Sequence, residues 1–262
     1  MGVYGNFSLA GKVAVVTGGG RGIGRATALA FAEAGADVAV MARRQPDVDS
    51  VAAEVSAMGR RSLAIAGDIT LAETIPDALD RVIAELGGLD IMVNNAGGNP
   101  DGLAHPVAEM SLEKWDELLA HNMRHKFWGS SQAARRMGEG GRIINVVSRA
   151  IAVATPGSGA YAAGNAGVVA MSKTMSVELA PRKITVNCIA PGVVETDYLK
   201  AHAEVRLGLT DLSPEGLQAF QPFAAPLGRI GRPDDIAAAA LYLASPAAEW
   251  ITGECIMVSG GR

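Results

Sequence analysis

The chain has 262 residues, of which 49% are hydrophobic and 19% charged, and 23 basic against 27 acidic residues give a formal net charge of −4. This balance excludes the broad basic surface of a general nucleic-acid binder, and no apolar run approaches the roughly 20 residues that span a bilayer. Two cysteines are too few for a disulfide framework or a cysteine-based metal site. The N-terminal segment lacks the pattern of a cleaved secretion signal, so we expect a cytoplasmic protein.

Short apolar runs alternate with longer segments of helical periodicity along the whole chain. The runs predict strands at 12–17, 37–42, 62–66, 90–93, 142–147, 184–189 and 255–258. The longer segments predict helices at 22–34, 48–58, 71–86, 111–137, 161–180 and 233–244. This alternation predicts one α/β domain over residues 1–262, a doubly wound (Rossmann) fold with a parallel seven-stranded sheet and helices on both faces.

The segment 192–232 breaks this rhythm, because it mixes apolar residues with prolines. A long connection of this kind in a compact domain is often a lid or a binding loop. We therefore predict a substrate-binding lid at 192–226, mobile in the unliganded protein over about residues 196–223. Its scattered apolar side chains, Phe220 and Phe223 among them, suggest a substrate with an apolar portion.

A glycine-rich loop follows the first predicted strand and opens the first predicted helix. Glycines let the backbone approach a pyrophosphate, whose charge is stabilised by free amides at the helix N-terminus. A glycine cluster alone is more often a turn, but the strand before it and the helix after it favour a dinucleotide site. The candidate contacts are Gly18, Gly20, Arg21, Gly22, Ile23 and Gly24.

Arg43 and Arg44 follow the second predicted strand, where a dinucleotide fold meets the adenosine ribose. The second strand does not end in a carboxylate that could accept a hydrogen bond from a ribose 2′-hydroxyl. The two guanidinium groups there, together with that of Arg21 in the glycine-rich loop, suit a 2′-phosphate instead. The alternative is a solvated arginine pair. The sequence therefore predicts NADP(H), with NAD(H) as the second possibility.

Over residues 8–261 the chain resembles the classical short-chain dehydrogenase/reductase family, above all its 3-oxoacyl-carrier-protein reductases and its sugar or polyol dehydrogenases. The resemblance rests on the glycine loop, on Asn94-Asn95-Ala96-Gly97 after the fourth strand and on Pro191-Gly192 after the sixth. It implies further cofactor contacts from Asp68, Ile69, Asn95, Ala96, Gly97, Pro191, Gly192, Val194 and Thr196. It also implies a homotetramer that acts on a small carbonyl or alcohol substrate.

The same resemblance implies a catalytic set of Ser148, Tyr161 and Asn122. Tyr161 would exchange a proton with the substrate oxygen that Ser148 hydrogen-bonds, and Asn122 would anchor a water of the proton relay. The family pattern Tyr-x-x-x-Lys reads Tyr161-Ala162-Ala163-Gly164-Asn165 here. Asn165 can donate to a cofactor ribose hydroxyl but brings no charge to the site.

An uncharged residue at position 165 leaves several interpretations open. Tyr161 works with a raised pKa, or another group supplies the missing charge; in both cases the protein is a ketoreductase-like oxidoreductase. Alternatively, it binds NADP(H) with little redox activity, as a regulatory or assembly subunit. The neighbouring Arg124, His125 and Lys126 are predicted to face solvent or another subunit, and the histidine spacing predicts no metal site.

Overall fold

A parallel sheet forms the centre of the structure, a computed structural model that describes residues 6–207, 209, 211–219 and 225–261. Its strands are β1 (Val13–Thr17), β2 (Asp37–Ala42), β3 (Ser62–Ala66), β4 (Ile91–Asn94), β5 (Arg142–Val146), β6 (Thr185–Pro191) and β7 (Cys255–Val258). Their order is β3-β2-β1-β4-β5-β6-β7, and every neighbouring pair is parallel. The predicted seven-stranded parallel sheet is confirmed.

Helices connect these strands. Within the described ranges they are α1 (Gly22–Glu33), α2 (Gln45–Ala57), α3 (Thr74–Leu86), α4 (Leu112–Leu119), α5 (His125–Arg136), α6 (Gly159–Leu179), α7 (Asp197–Leu207), α8 (Pro214–Ala219) and α9 (Pro233–Ala244). Helix α2 begins three residues before the predicted start, because Pro46 suits a first helical turn. Helix α3 begins at Thr74 rather than 71, and α6 begins at Gly159 rather than 161.

Helices cover both faces of the sheet, as the sequence predicts. One face packs against α1, α2 and α9 through a core that includes Phe31, Val51 and Ile236. The other face packs against α3, α5 and α6. Because successive strand residues point to opposite faces, Val16 joins the first core and Val15 the second. Among the described helices, none is long and apolar enough to cross a membrane.

The helix predicted at 111–137 is interrupted, so that prediction was wrong in one respect. A π-helical turn at Ala120–Arg124 separates α4 from α5. The Asn122 side-chain amide donates to the carbonyl oxygens of Leu118 (2.9 Å) and Gly98 (2.9 Å). A side chain that enters the helical hydrogen-bond ladder in this way disturbs the α register. The turn holds Asn122 against the loop that follows β4.

The strand order reverses between β1 and β4, and in doubly wound sheets this point opens a ligand crevice at the carboxyl ends of the strands. Asn95 joins the two strand ends. Its Nδ2 donates to the carbonyl oxygens of Thr17 (3.0 Å) and Gly18 (3.3 Å), and its main-chain N–H donates to Thr17 Oγ1 (3.1 Å). These bonds fix the glycine-rich loop against the loop after β4.

The predicted lid contains α7 and α8, which the sequence did not predict. A small apolar cluster holds this segment together, with Ala203, Leu217 and Ile230 at its centre. Phe220 and Phe223, which belong to the lid prediction, lie outside the described residues.

Candidate active site

A cleft of about 1000 Å³ lies along the carboxyl edge of the sheet, and it is lined by every predicted site residue except Gly24. Gly24 lies behind the glycine-rich loop, where a β-carbon would overlap the carbonyl oxygen of Gly18. Gly24 therefore allows α1 to pack against the loop, and its predicted part in cofactor binding is to let the loop and the helix approach each other rather than to line the cleft.

The glycine-rich loop leads into the N-terminus of α1. The residue before α1, Arg21, makes no capping hydrogen bond through its side chain, and the first turn of α1 contains no acidic residue. Main-chain N–H groups at such a helix start lack partners within the helix and attract anions. Gly22 has a φ of +52°, and a β-carbon there would lie 3.2 Å from Thr196 Cγ2. The loop therefore fits a pyrophosphate, with Thr196 beside it.

Among the described residues, three basic side chains line the nucleotide end of the cleft: Arg21, Arg43 and Arg44. Sequence reasoning missed Asp47, which also lines this end and lies 3.5 Å from the Arg44 guanidinium. The sequence feature that could have indicated Asp47 is a carboxylate in the first turn of the helix that follows β2. A carboxylate here could accept from a ribose 2′-hydroxyl, whereas the arginines suit a 2′-phosphate.

Asp68 and Ile69 line the same region, beyond β3. The Asp68 carboxylate accepts hydrogen bonds from the main-chain N–H (2.9 Å) and the hydroxyl (2.8 Å) of Thr70. The Thr70 N–H, aided by its hydroxyl and the Arg43 charge, holds the pKa of Asp68 below its usual value. The predicted contacts Asn95, Ala96 and Gly97 after β4 and Pro191, Gly192, Val194 and Thr196 after β6 lie along the cleft.

The structure brings Ser148, Tyr161 and Asn165 together at the cleft. Ser148 follows β5 and its Oγ accepts from the Ala150 N–H at 3.2 Å, while Tyr161 lies in the first turn of α6. Asn165 Nδ2 donates to the Tyr161 carbonyl oxygen at 2.8 Å. Burial raises the pKa of Tyr161, and side-chain hydrogen bonds with Ser148 and Asn165 offset this only in part. The phenol therefore stays protonated at neutral pH.

Asn122 links the loop after β4 to the helix that carries Tyr161. Its Oδ1 accepts from the Gly98 N–H at 3.0 Å. Its Cβ lies 3.3 Å from the position that a β-carbon at Gly164 would occupy. Its carbonyl oxygen accepts a hydrogen bond from Lys126 Nζ at 3.2 Å.

The expected outward orientation of His125 and Lys126 was wrong, whereas Arg124 is exposed as predicted. His125 is 2% exposed and Lys126 1% exposed, and Lys126 lines the cleft. A π-helical turn holds one extra residue and so rotates the residues after it by about 100° relative to a continuous helix. Sequence periodicity gave no signal of that rotation. Burial lowers the pKa of Lys126 to about 7.

No group of three or more His, Cys, Asp or Glu residues that could hold a metal ion occurs among the residues described. The parallel sheet, the loop at the helix start and the cleft at the strand-order reversal define a Rossmann-type fold with a nucleotide-binding crevice.

Comparison with known proteins identifies the family. The family model described as Enoyl-(Acyl carrier protein) reductase matches residues 18–262. The 3-oxoacyl-[acyl-carrier-protein] reductase of Vibrio cholerae is 39% identical over 256 residues, which cover 97% of this chain and 98% of the relative. The chain therefore belongs to the short-chain dehydrogenase/reductase family.

Solved structures agree with this assignment. A short-chain dehydrogenase from Burkholderia cenocepacia in complex with NADP has a TM-score of 0.84 and 34% identity, covering 97% of this chain and 98% of that one. A 7α-hydroxysteroid dehydrogenase complexed with NADH and 7-oxo glycochenodeoxycholic acid has a TM-score of 0.87 and 35% identity, covering 98% of this chain and 96% of that one.

Proposed function

We propose that this protein is an NADP(H)-dependent oxidoreductase that transfers a hydride between the nicotinamide and a carbonyl or secondary-alcohol substrate. The observation that carries the proposal is that Ser148 and Tyr161 share one cleft with the glycine-rich loop and with Arg43 and Arg44. The relative solved with NADP supports this cofactor. The relative solved with NADH, together with Asp47 at the nucleotide end, supports NAD(H) as the second candidate.

In the proposed reaction the bound nicotinamide supplies the hydride for reduction and accepts it in oxidation. Tyr161 donates its hydroxyl proton to the carbonyl oxygen as the carbonyl carbon receives the hydride, so that the ketone becomes an alcohol and Tyr161 a phenolate. Ser148 Oγ donates a hydrogen bond to the same oxygen. The phenolate then regains a proton from solvent. In alcohol oxidation, the Tyr161 phenolate removes the hydroxyl proton instead.

The proposed substrate carries an apolar portion beside its carbonyl group. Apolar residues that line the cleft include Leu103, Leu118, Val153 and Leu199. Leu199 lies on α7, within the predicted lid. The name of the Vibrio cholerae relative is consistent with a 3-oxoacyl thioester as one such substrate.

We further propose that the protein works as a homotetramer in the cytoplasm. Large exposed apolar side chains support association, among them Leu112 on α4, Phe127 on α5, Val177 on α6 and Trp250 before β7. The cytoplasmic location rests on the sequence alone.

The test is to titrate the protein with NADPH and then follow NADPH absorbance with a panel of apolar ketones and 3-oxoacyl thioesters. Tyr161→Phe should lower kcat by about 100-fold or more while NADPH binding is unchanged. Tyr242→Phe is the matched control, because Tyr242 packs against Phe7 and not in the cleft. Tight NADPH binding without turnover of any substrate would favour the regulatory or assembly subunit instead.

A further inference from the structure

Lys126 is an unusual residue for a protein interior. Lysine is almost never fully buried unless it is paired with an opposite charge. Among the described residues, the Lys126 ammonium makes one hydrogen bond, to the Asn122 carbonyl oxygen at 3.2 Å, and forms no ion pair with a carboxylate. An ammonium has three donors, so two remain for water or a ligand in the cleft. A methionine would fill this space without the cost of burying a charge.

The position of this amine is close to the catalytic end of the cleft. A β-carbon at Gly97 would lie 2.9 Å from Lys126 Nζ, which places the amine beside the loop after β4. Asn122, which accepts the hydrogen bond, packs against α6 at Gly164, next to Asn165 in the sequence. The amine therefore lies one contact away from the helix that carries Tyr161.

Proton exchange by Tyr161 would be favoured by a positive charge near its phenol. A buried phenol has a raised pKa, and a nearby cation lowers that pKa by stabilising the phenolate. Asn165 hydrogen-bonds but brings no charge. Lys126 and Tyr161 line the same cleft.

We propose that Lys126, from α5, supplies the positive charge that position 165 lacks and acts through Tyr161 as a positioning residue. This inference rests on the proposed function, because the charge serves catalysis only if Tyr161 exchanges a proton with substrate. Arg149, which follows Ser148 and also lines the cleft, is the rival source of charge.

The charge on Lys126 depends on pH in the neutral range. Because its pKa is about 7, the ammonium loses its proton as pH rises through neutrality. The pKa of His125 is lowered to about 3, mainly by burial and secondly by the charge of Lys126. His125 is therefore neutral near pH 7. The pKa of the Cys188 thiol is raised, mainly by a hydrogen bond with Cys255 and secondly by burial, so this thiol is neutral too. His121, on the π-helical turn that precedes Lys126, is a further titratable group that lines the cleft.

The main experiment compares Lys126→Met, which keeps length without charge, with Lys126→Arg, which keeps the charge. Ketone reduction by the wild type should fall as pH rises above about 7. Lys126→Met should lower kcat at pH 6 by about tenfold or more, and its kcat should no longer fall as pH rises above about 7. Lys126→Arg should stay active as pH rises above about 7, because its guanidinium group stays charged. Lys173→Met, at an exposed lysine of α6, is the matched control and should change nothing.

A second experiment moves the lysine from position 126 to position 165. Asn165→Lys should restore kcat in the Lys126→Met background, because it returns a positive charge to the side of Tyr161. If Lys126→Met leaves kcat and its fall with rising pH unchanged, or if that fall disappears in Arg149→Met or His121→Gln instead, the proposal is wrong.

Thermal unfolding separates this role from a structural one. The pKa of Lys126 is about 7 in the folded state and 10.5 as its ordinary value, so between these pH values the unfolded chain binds more protons. Stability of the wild type therefore rises with pH across that window. Lys126→Met should raise Tm most below pH 7, and the gain should shrink towards pH 10.5. A structural lysine would give a lower Tm at every pH.

A last measurement needs no turnover. Tyrosinate absorbance, with the signal of Tyr161→Phe subtracted, reports the pKa of Tyr161 in the ligand-free protein. Lys126→Arg should lower that pKa, whereas Lys126→Met should not. No shift in Lys126→Arg overturns the proposal even if the wild type is active. A shift in a protein that binds NADPH but turns over no substrate would support the charge effect while removing the proposed function.

Discussion

The Tyr198 hydroxyl accepts a hydrogen bond of 2.7 Å from the main-chain N–H of Asn99. The Tyr198 ring also lies against Gly98, where a β-carbon would be 2.9 Å from Tyr198 Cε2. The first turn of α7 is thereby attached to the loop that follows β4, and both border the cleft. The predicted lid is anchored at this point.

We expect Tyr198→Phe to loosen the lid without unfolding the protein. The substitution keeps the ring but leaves the Asn99 N–H without its hydroxyl acceptor, at a cost of about 1–3 kcal/mol if no water replaces it. Amide hydrogen exchange of α7 should become faster, and KM for the ketone should rise. Tyr242→Phe serves as the control. Unchanged exchange in α7 would show that this hydrogen bond does not hold the lid.

The arginines of the nucleotide end should determine the choice between NADPH and NADH. Loss of a charge-assisted bond to a 2′-phosphate costs about 1.5–3 kcal/mol, so Arg43→Ala or Arg44→Ala should weaken NADPH binding roughly 10- to 150-fold. NADH binding should change little, and Asp47→Asn should strengthen NADPH binding by removing a like charge. Fluorescence titration measures both affinities, with the exposed Arg135→Ala as control. Equal losses for NADPH and NADH would contradict the assignment.

Gly129 on α5 should not tolerate a methyl group. Alanine in a helix is normally more stable than glycine by about 1 kcal/mol. Here a β-carbon would overlap Asn94 Oδ1, and Asn94 is held by hydrogen bonds to Ser130 Oγ (3.1 Å) and Asn145 Oδ1 (2.9 Å). Gly129→Ala should therefore lower the free energy of unfolding by about 1–3 kcal/mol. Gly138→Ala is the control, since nothing lies within 4 Å of its β-carbon position.

Burial of neutral His125 should make the protein sensitive to acid. Its pKa is lowered from 6.5 to about 3, so between these values the unfolded state binds the additional proton. Stability should fall with decreasing pH by about 1.4 kcal/mol per pH unit from this residue alone. Comparison of urea unfolding for the wild type and His125→Gln isolates that slope. Parallel stability curves from pH 6.5 to pH 4 would show that His125 does not contribute.

The sequence predicts the sheet well because both of its faces are covered. Strands such as Val13–Thr17 then read as continuous apolar runs, and each observed strand lies within two residues of its prediction. The inward orientation of Lys126 could not be predicted in this way. It follows the π-helical turn that Asn122 stabilises by bonding to Gly98, a residue distant in the sequence. Asp47 was missed because its approach to the cleft depends on where α2 begins.

The separate packing of the lid has a consequence for protein engineering. Helices α7 and α8 pack around Ala203, Leu217 and Ile230, a cluster distinct from the residues that hold helices against the sheet. Replacement of α7 and α8 by those of a relative, with residues 192–198 kept, would leave the nucleotide crevice and the Tyr161 helix in place. A chimaera made in this way could exchange the accepted carbonyl compound while the hydride donor and the proton donor stay as they are.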